Sequence, residues 1–350
     1  MRRLILVAVA LVLCAFAAGS PAALASFNSL RVINYAATNE DVEGMWSTWQ
    51  PTVIEADLGR IEALHANTVR IFAPIDTCWG QLVCQYQLDE LSQFVSMANA
   101  DGLRVWITLY PYAETPSVSQ SEQYVSAIIG PFAGATGKIA ALEVYNEIIP
   151  INYPNGWAQW AQAVIPYARS VAGGIPITIS AAGGESIPNT SFSDLVSGLT
   201  SVGTQPDFYD YHYAYDSEMA QTILQQAEGI AGSVPIVVGE TGQPTDCYEA
   251  YLGGCSSKPQ RLLVCGPRFY PKLIAGGPTL EQSQATYLAN VESGTFAAGL
   301  GAAGVWTLND QSQSCTTPYT SPSSFGLYRP DGSPKPSVGA VAQAFINAGG

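Results

Sequence analysis

Two glutamates at the ends of short apolar runs carry the chemistry this sequence can be read for. Ile139–Glu147 reads I-A-A-L-E-V-Y-N-E and Val234–Glu240 reads V-P-I-V-V-G-E. Runs of that length suit one buried strand and are too short for a helix. Each ends in a carboxylate, and in parallel α/β proteins active sites collect at the carboxyl ends of strands. Cleaving a glycosidic bond needs such a pair: one group protonates the departing oxygen while the other works from the opposite side. When the two stand about 5 Å apart, the second attacks the anomeric carbon and configuration is retained. Their surroundings must also separate their pKa values, so that one is protonated while its neighbour is ionised. Either glutamate alone would more simply cap a helix or sit in solvent. The pair favours catalysis.

Bringing both glutamates to one mouth requires alternating strands and helices, and the chain supplies them. Strands are expected over Arg31–Ala36, Thr68–Ala73, Leu103–Leu109, Ile139–Glu147, Pro176–Ser180, Phe208–Tyr213, Pro235–Gly239 and Ala303–Leu308. Helices are expected over Val53–Leu64, Leu88–Ala100, Ser119–Phe132, Trp157–Ala172, Phe192–Leu199, Glu218–Gly229, Leu280–Ala298 and Ser337–Asn347. Eight strand–helix pairs in strict order predict an α/β fold, a single (β/α)8 TIM barrel, because each parallel crossover needs a helix. Glu143 shares strand parity with Glu147 and should point inward, where it must be paired or protonated; Arg70 is the obvious partner. The Gly/Pro/Cys-rich stretch 241–278 breaks the alternation after the seventh strand. It is expected to be a disulfide-stapled lid or cleft wall beside Glu240.

Met1-Arg2-Arg3, an apolar run from Leu4 to Ala18 and Ala23-Leu24-Ala25 have the form of a secretory signal peptide, residues 1–25. The remainder, 26–350, reads as one secreted, extracellular catalytic domain. The apolar run is short for a membrane span. A formal net charge of −14 argues against nucleic acid and anionic membranes as partners, and a neutral polysaccharide meets no penalty there. Of seven cysteines, Cys14 leaves with the leader. Cys78, Cys84, Cys247, Cys255, Cys265 and Cys315 remain, an even number that reads as disulfides in an exported chain. Their spacings fit no common zinc pattern, and the two histidines are far apart in sequence, so no metal is expected. The reading calls for no cofactor and for a monomer.

Y-N-E at the fourth strand and G-E-T at the seventh resemble clan A of the glycoside hydrolases, and nearly the whole mature chain is most similar to family 5, the cellulase/mannanase family. The resemblance implies Glu147 as acid/base, protonated at rest, and Glu240 as nucleophile. It implies that Arg70, in V-R-I-F, holds the nucleophile ionised, that Asn146 bonds the sugar 2-hydroxyl, and that Trp306, in V-W-T-L-N-D, floors the subsite where the bond is cut. The tail F-G-L-Y-R-P-D-G-S-P-K-P, residues 325–336, is similar too. His212-Tyr213-Ala214-Tyr215 stands where the family has His-x-Tyr, so His212 is kept and either Tyr213 or Tyr215 could face the nucleophile. Glu147 is followed by Ile148 instead of the usual proline, and Leu109-Tyr110 replaces a common histidine. V-V-G-E-T-G with Pro244 resembles family 17, the β-1,3-glucanases.

Aromatic residues crowd the expected strand ends: Trp46, Trp49, Trp79, Tyr110, Tyr112, Tyr153 and Trp157. Flat rings can pack on sugars, and Trp46, Trp49 and Trp79 are candidate substrate walls, balanced against an equal prospect of core packing. Trp106 and Trp160 are expected in the core. The leading reading is a retaining β-glycosidase, endo-acting on a β-glucan or β-mannan. Its rivals are a β-1,3-glucan-acting glucanase or transglycosylase and a non-catalytic carbohydrate-binding barrel. The short spacing of Cys78 and Cys84 predicts that they pair. Non-reducing peptide mapping should recover their two peptides linked, and either cysteine free or joined elsewhere would refute the pairing.

Overall fold

A computed structural model describes residues 27–37, 44–75, 83–111, 115–148, 155–182, 190–243, 245, 280–310 and 325–349. Its strands are β1 (Val32–Asn34), β2 (Thr68–Phe72), β3 (Arg104–Thr108), β4 (Ile139–Glu143), β5 (Ile177–Thr178), β6 (Ser180–Ala181), β7 (Tyr209–Tyr213) and β8 (Ile236–Thr241). Its helices are α1 (Pro51–Ala63), α2 (Gln85–Ala100), α3 (Val118–Ile129), α4 (Trp157–Ala172), α5 (Thr190–Ser201), α6 (Ala220–Ala231), α7 (Leu280–Ala297) and α8 (Ser337–Asn347). Every strand pair is parallel, in the orders β1-β2-β3-β4-β5 and β6-β7-β8. The expected α/β alternation is what forms.

Several expected strands are shorter than the apolar runs that suggested them. Pro176–Ser180 becomes two two-residue strands, β5 and β6, flanking Ile179. β4 ends at Glu143, so Val144 to Glu147 form the loop that leaves it. Ala303–Leu308 is no regular strand, yet Val305 bridges in parallel to both Ile33 of β1 and Thr241 of β8. Around it Val305 N–H donates to Val32 O and Thr241 N–H to Gly304 O. A Cβ on Gly304 would meet the Gly239 carbonyl oxygen, so glycine is what lets these backbones approach.

Alternation along the strands sorts the side chains. Val69, Ile71, Val105, Ile107, Tyr209 and Tyr211 face the helices in the main core. Arg70, Thr108, Asp210 and His212 take the opposite parity, and all four are buried. A smaller apolar cluster of Leu30, Val32, Trp106, Ala140, Ala141, Phe208 and Val237 lies apart from the main one. Local capping fixes helix starts: Ser117 and Gln120 form a reciprocal capping box on α3, and Pro51 opens α1. Among the described residues no helix is long and apolar enough to cross a membrane. Cys78, Cys247, Cys255, Cys265 and Cys315 fall outside the described residues, as does most of 241–278, so the stapled insertion remains a proposal.

One buried carboxyl group lies away from the strand ends. Glu292 of α7 is 2% exposed; its Oε2 accepts the Ala303 N–H at 3.0 Å, and Oε1 has no hydrogen-bond partner. Burial pushes its pKa up to about 8, with the Ala303 N–H opposing. The unfolded chain would ionise this group near its ordinary value, about 4.3. Between there and about 8, unfolding releases a proton, so stability falls as pH rises. Glu292→Gln keeps a carbonyl for Ala303 and removes the titration. Its melting temperature should vary less than the wild type's across that window, as thermal scans at several pH values would show.

Candidate active site

Arg70 of β2 is the hub on which the strand-end polar groups converge. Its side chain is fully buried and reaches four partners. Nε and Nη2 both donate to Glu143 Oε2, at 3.0 and 2.8 Å. Nη2 also donates to Asn146 Oδ1 at 2.7 Å. Nη1 donates to Asn34 Oδ1 at 2.7 Å and to Glu240 Oε2 at 3.1 Å. Burial lowers its pKa, but the charges of Glu143, Glu240 and Asp210 outweigh that and raise it. The Phe72 ring lies 5.0 Å from the guanidinium carbon. A planar fork with five donors is what such a multi-strand junction requires.

Glu143 is entirely buried and also takes the Thr108 hydroxyl at 2.8 Å. It is a structural counter-ion. Glu147 and Glu240 differ from it by being open: their side chains are 33% and 20% exposed. His212 joins them, with Nδ1 2.8 Å from Glu147 Oε1 and 3.5 Å from Glu240 Oε2. One ligating atom from each of the three residues lies within 4.8 Å of the others. Glu147 has φ 45°, a region an L-residue rarely adopts, and its N–H is held by Ser180 Oγ at 2.7 Å. Such backbone costs on the order of 1–3 kcal/mol and collects at functional sites.

The electrostatics depart from the expected resting order. Burial pushes Glu240 up to about 7, only partly offset by His212 and Arg70. Burial would raise Glu147 as well, but the hydrogen bond and charge of His212 outweigh it and hold Glu147 low. His212 itself, despite burial, is raised well above its ordinary value by Glu240, Asp210 and Glu147. In this arrangement the proton expected on Glu147 belongs to His212, hydrogen-bonded to Glu147. The cause is a charge imbalance: four carboxylates face one guanidinium and one imidazole. The trios Glu147–His212–Glu240 and Glu143–Asp210–His212 also have a geometry that could hold a metal ion.

No protein-family model matches the sequence, and neither does any curated protein. Solved structures do match in shape. The first is a GH5_18 variant from Streptomyces cattleya in complex with Manb1-4GlcNAc, with TM-score 0.67, 15% identity, and 91% of this chain and 80% of that one covered. The exo-beta-1,4-mannosidase from Opitutaceae bacterium strain TAV5 gives TM-score 0.66 at 14% identity, covering 91% and 59%. A family 39 glycoside hydrolase from Bacteroides cellulosilyticus WH2 gives 0.59 at 14%, covering 91% and 64%. The fold is that of these glycoside hydrolases.

Arg70, Asn146, Glu147, His212 and Glu240 thus meet in one network. Trp306 stands at the same end of the strands, partly exposed and edge-on to Phe72 at 6.2 Å. Trp46 does not line a cleft: it is 1% exposed, stacks on Trp49 at 5.8 Å and donates its indole N–H to Phe72 O at 2.9 Å. A ring that size with a satisfied N–H is core, so the substrate-wall expectation fails for Trp46. Tyr110 also turns inward, stacked on Tyr145 at 5.5 Å. Trp79, Tyr112 and Tyr153 lie outside the described residues. Tyr213 gives its hydroxyl proton to Asp216 O at 2.6 Å, which removes it as a partner for Glu240, and Tyr215 is half-buried with no hydrogen bond to Glu240.

Sequence reasoning missed Asn34, Thr108, Ser180 and Asp210. Asp210 had a usable signal, since it shares strand parity with His212 two residues on. Removing the hub should be costly, because Glu143 and Asp210 would stay buried without their cation. Arg70→Met should destabilise the fold by about 3–5 kcal/mol, the usual cost of breaking a buried ion pair from one side. Denaturant unfolding measures it. Arg70→Lys, which keeps the charge but loses the fork, should recover part of the loss.

Proposed function

We propose that this protein is a secreted retaining β-glycosidase working by double displacement, with Glu147 as acid/base and Glu240 as nucleophile. The observation that carries the reading is the approach of the Glu147 and Glu240 carboxylates, atoms of which lie within 4.8 Å. That approach suits direct attack on the anomeric carbon, for which retaining enzymes hold their carboxyl groups about 5–5.5 Å apart. Glu240, oriented by Arg70, attacks once ionised and forms the glycosyl-enzyme. Glu147, coupled to His212, protonates the departing oxygen and later deprotonates water. Asn146, Trp306 and Tyr215 are assigned to binding the sugar.

A β-mannoside ranks ahead of a β-glucan as substrate, because one neighbour is in complex with Manb1-4GlcNAc and another is an exo-beta-1,4-mannosidase. Endo action remains the proposal from sequence, tested by the product lengths released from mannan. The hydrogen bonds of residues 304–308 to β1 and to β8 support one closed (β/α)8 barrel. Residues 1–25 are proposed as the signal peptide and the enzyme as a monomer.

Mutants separate the two roles. Glu240→Ala should abolish turnover of every substrate, and azide should restore it with inverted anomeric configuration. Glu147→Ala should still form the glycosyl-enzyme from activated aryl glycosides, whose leaving groups need little proton assistance. Azide should then speed its breakdown with retained configuration. The reverse pattern of products, read by NMR, would swap the roles. Wild-type activity on mannan in both mutants would end the proposal.

A further inference from the structure

Asp210 is buried, carries a carboxylate, and has no part in the reaction so far described. It lies on β7 two residues before His212, on the same face. Its Oδ2 is 3.2 Å from His212 Nε2, and its Oδ1 accepts the Gly239 N–H at 2.9 Å. Arg70 Nε stands 3.9 Å away. A Cβ on Gly239 would collide with the Asp210 carboxylate, so the residue before Glu240 must be glycine for the contact to exist. One carboxylate therefore ties the histidine on β7 to the backbone that carries the candidate nucleophile.

The chemistry of that contact fixes the imidazole. An ionised carboxylate only accepts hydrogen bonds, so His212 Nε2 must keep its proton to satisfy Asp210. The other ring nitrogen, Nδ1, is then the one that gains and loses a proton, and it faces Glu147 Oε1 at 2.8 Å. We infer that Asp210 is a positioning residue that locks His212 in the Nε2–H form, making Nδ1 a proton reservoir for Glu147. This rests on the glycosidase reading only for its purpose, not for its geometry.

The proton account balances. Before cleavage His212 carries protons on both nitrogens. The Nδ1 proton passes to the Glu147 carboxylate, which hands it on to the leaving oxygen and is again a carboxylate. His212 is left neutral and still protonated on Nε2. In the second half the water proton returns by the same route. The charged groups around the ring are Asp210 on β7, Glu147 after β4, Glu143 on β4, Glu240 on β8 and Arg70 on β2. Four of these five are acidic and favour the doubly protonated ring, while Arg70 opposes it.

The chain has only two histidines, and the other, His65, is exposed, so imidazole nitrogen NMR of histidine-labelled protein can report on His212 directly. In the wild type Nε2 should remain protonated at every pH at which the protein is folded, while Nδ1 alone titrates. Asp210→Asn offers an amide donor to Nε2 and should shift the proton to Nδ1. A wild-type ring found protonated on Nδ1 alone, or an Asp210→Asn ring unchanged in tautomer, would overturn the inference. If Asp210→Asn does not fold, the wild-type spectrum still decides.

Kinetics give a second reading that a merely structural role would not move. For substrates with poor leaving groups, kcat/KM in Asp210→Asn should fall about 10²–10⁴-fold, the span of a positioned proton-transfer group. For activated aryl glycosides the loss should be far smaller. Equal losses for both substrate classes would overturn the role. A wild type that cleaves no glycoside but shows the expected tautomer would uphold the Asp210–His212 lock and remove the glycosidase reading. An active wild type with the wrong tautomer would do the reverse.

Discussion

A single buried guanidinium sets the terms for everything at the strand ends. Arg70 bonds Asn34 on β1, Glu143 on β4, Asn146 after β4 and Glu240 on β8, so three stretches of chain far apart in sequence share one cation. Burying a charge is tolerable only with such compensation. Once the cation is fixed, each partner's position follows from strand parity. Positive charge is nonetheless short. Arg70 and His212 face Glu143, Asp210, Glu147 and Glu240, so the site must retain a proton somewhere. That is the physical origin of the raised Glu240 and His212.

Much of this was legible in the residues. The apolar runs placed Glu147 and Glu240 at the ends of strands, and parity turned Glu143 inward towards Arg70. Asn34 and Thr108 were not legible, because their roles depend on which neighbours the sheet brings beside them. Trp46 shows the same limit from the other side. A tryptophan in a loop looks like a sugar platform until packing shows Phe94 and Trp49 against it and the Phe72 carbonyl on its N–H. The proton order was the least accessible, since it sums six mutually interacting groups whose distances no spacing rule contains.

Close backbone approach is the second constraint. Gly239 lies against the Asp210 carboxylate, and Gly304 against the Gly239 carbonyl. Three neighbouring segments are thereby packed at a separation that side chains would forbid. Glu240, the candidate nucleophile, comes next in sequence after this contact. Its position is set by backbone packing as much as by the hydrogen bond to Arg70.

The segment 304–308 has a consequence for how such a molecule would wear out. It holds β1 on one side and β8 on the other through only a few backbone hydrogen bonds, with Val305 as its sole bridging residue. Trp306 is the next residue along. This narrow seam therefore also carries Trp306, the proposed sugar platform. Local opening there would move the indole and would also release Asn34, a partner of Arg70, from the Val305 carbonyl. Ageing or mild heating that opened this seam would then yield molecules whose helices persist while the proposed sugar platform is displaced.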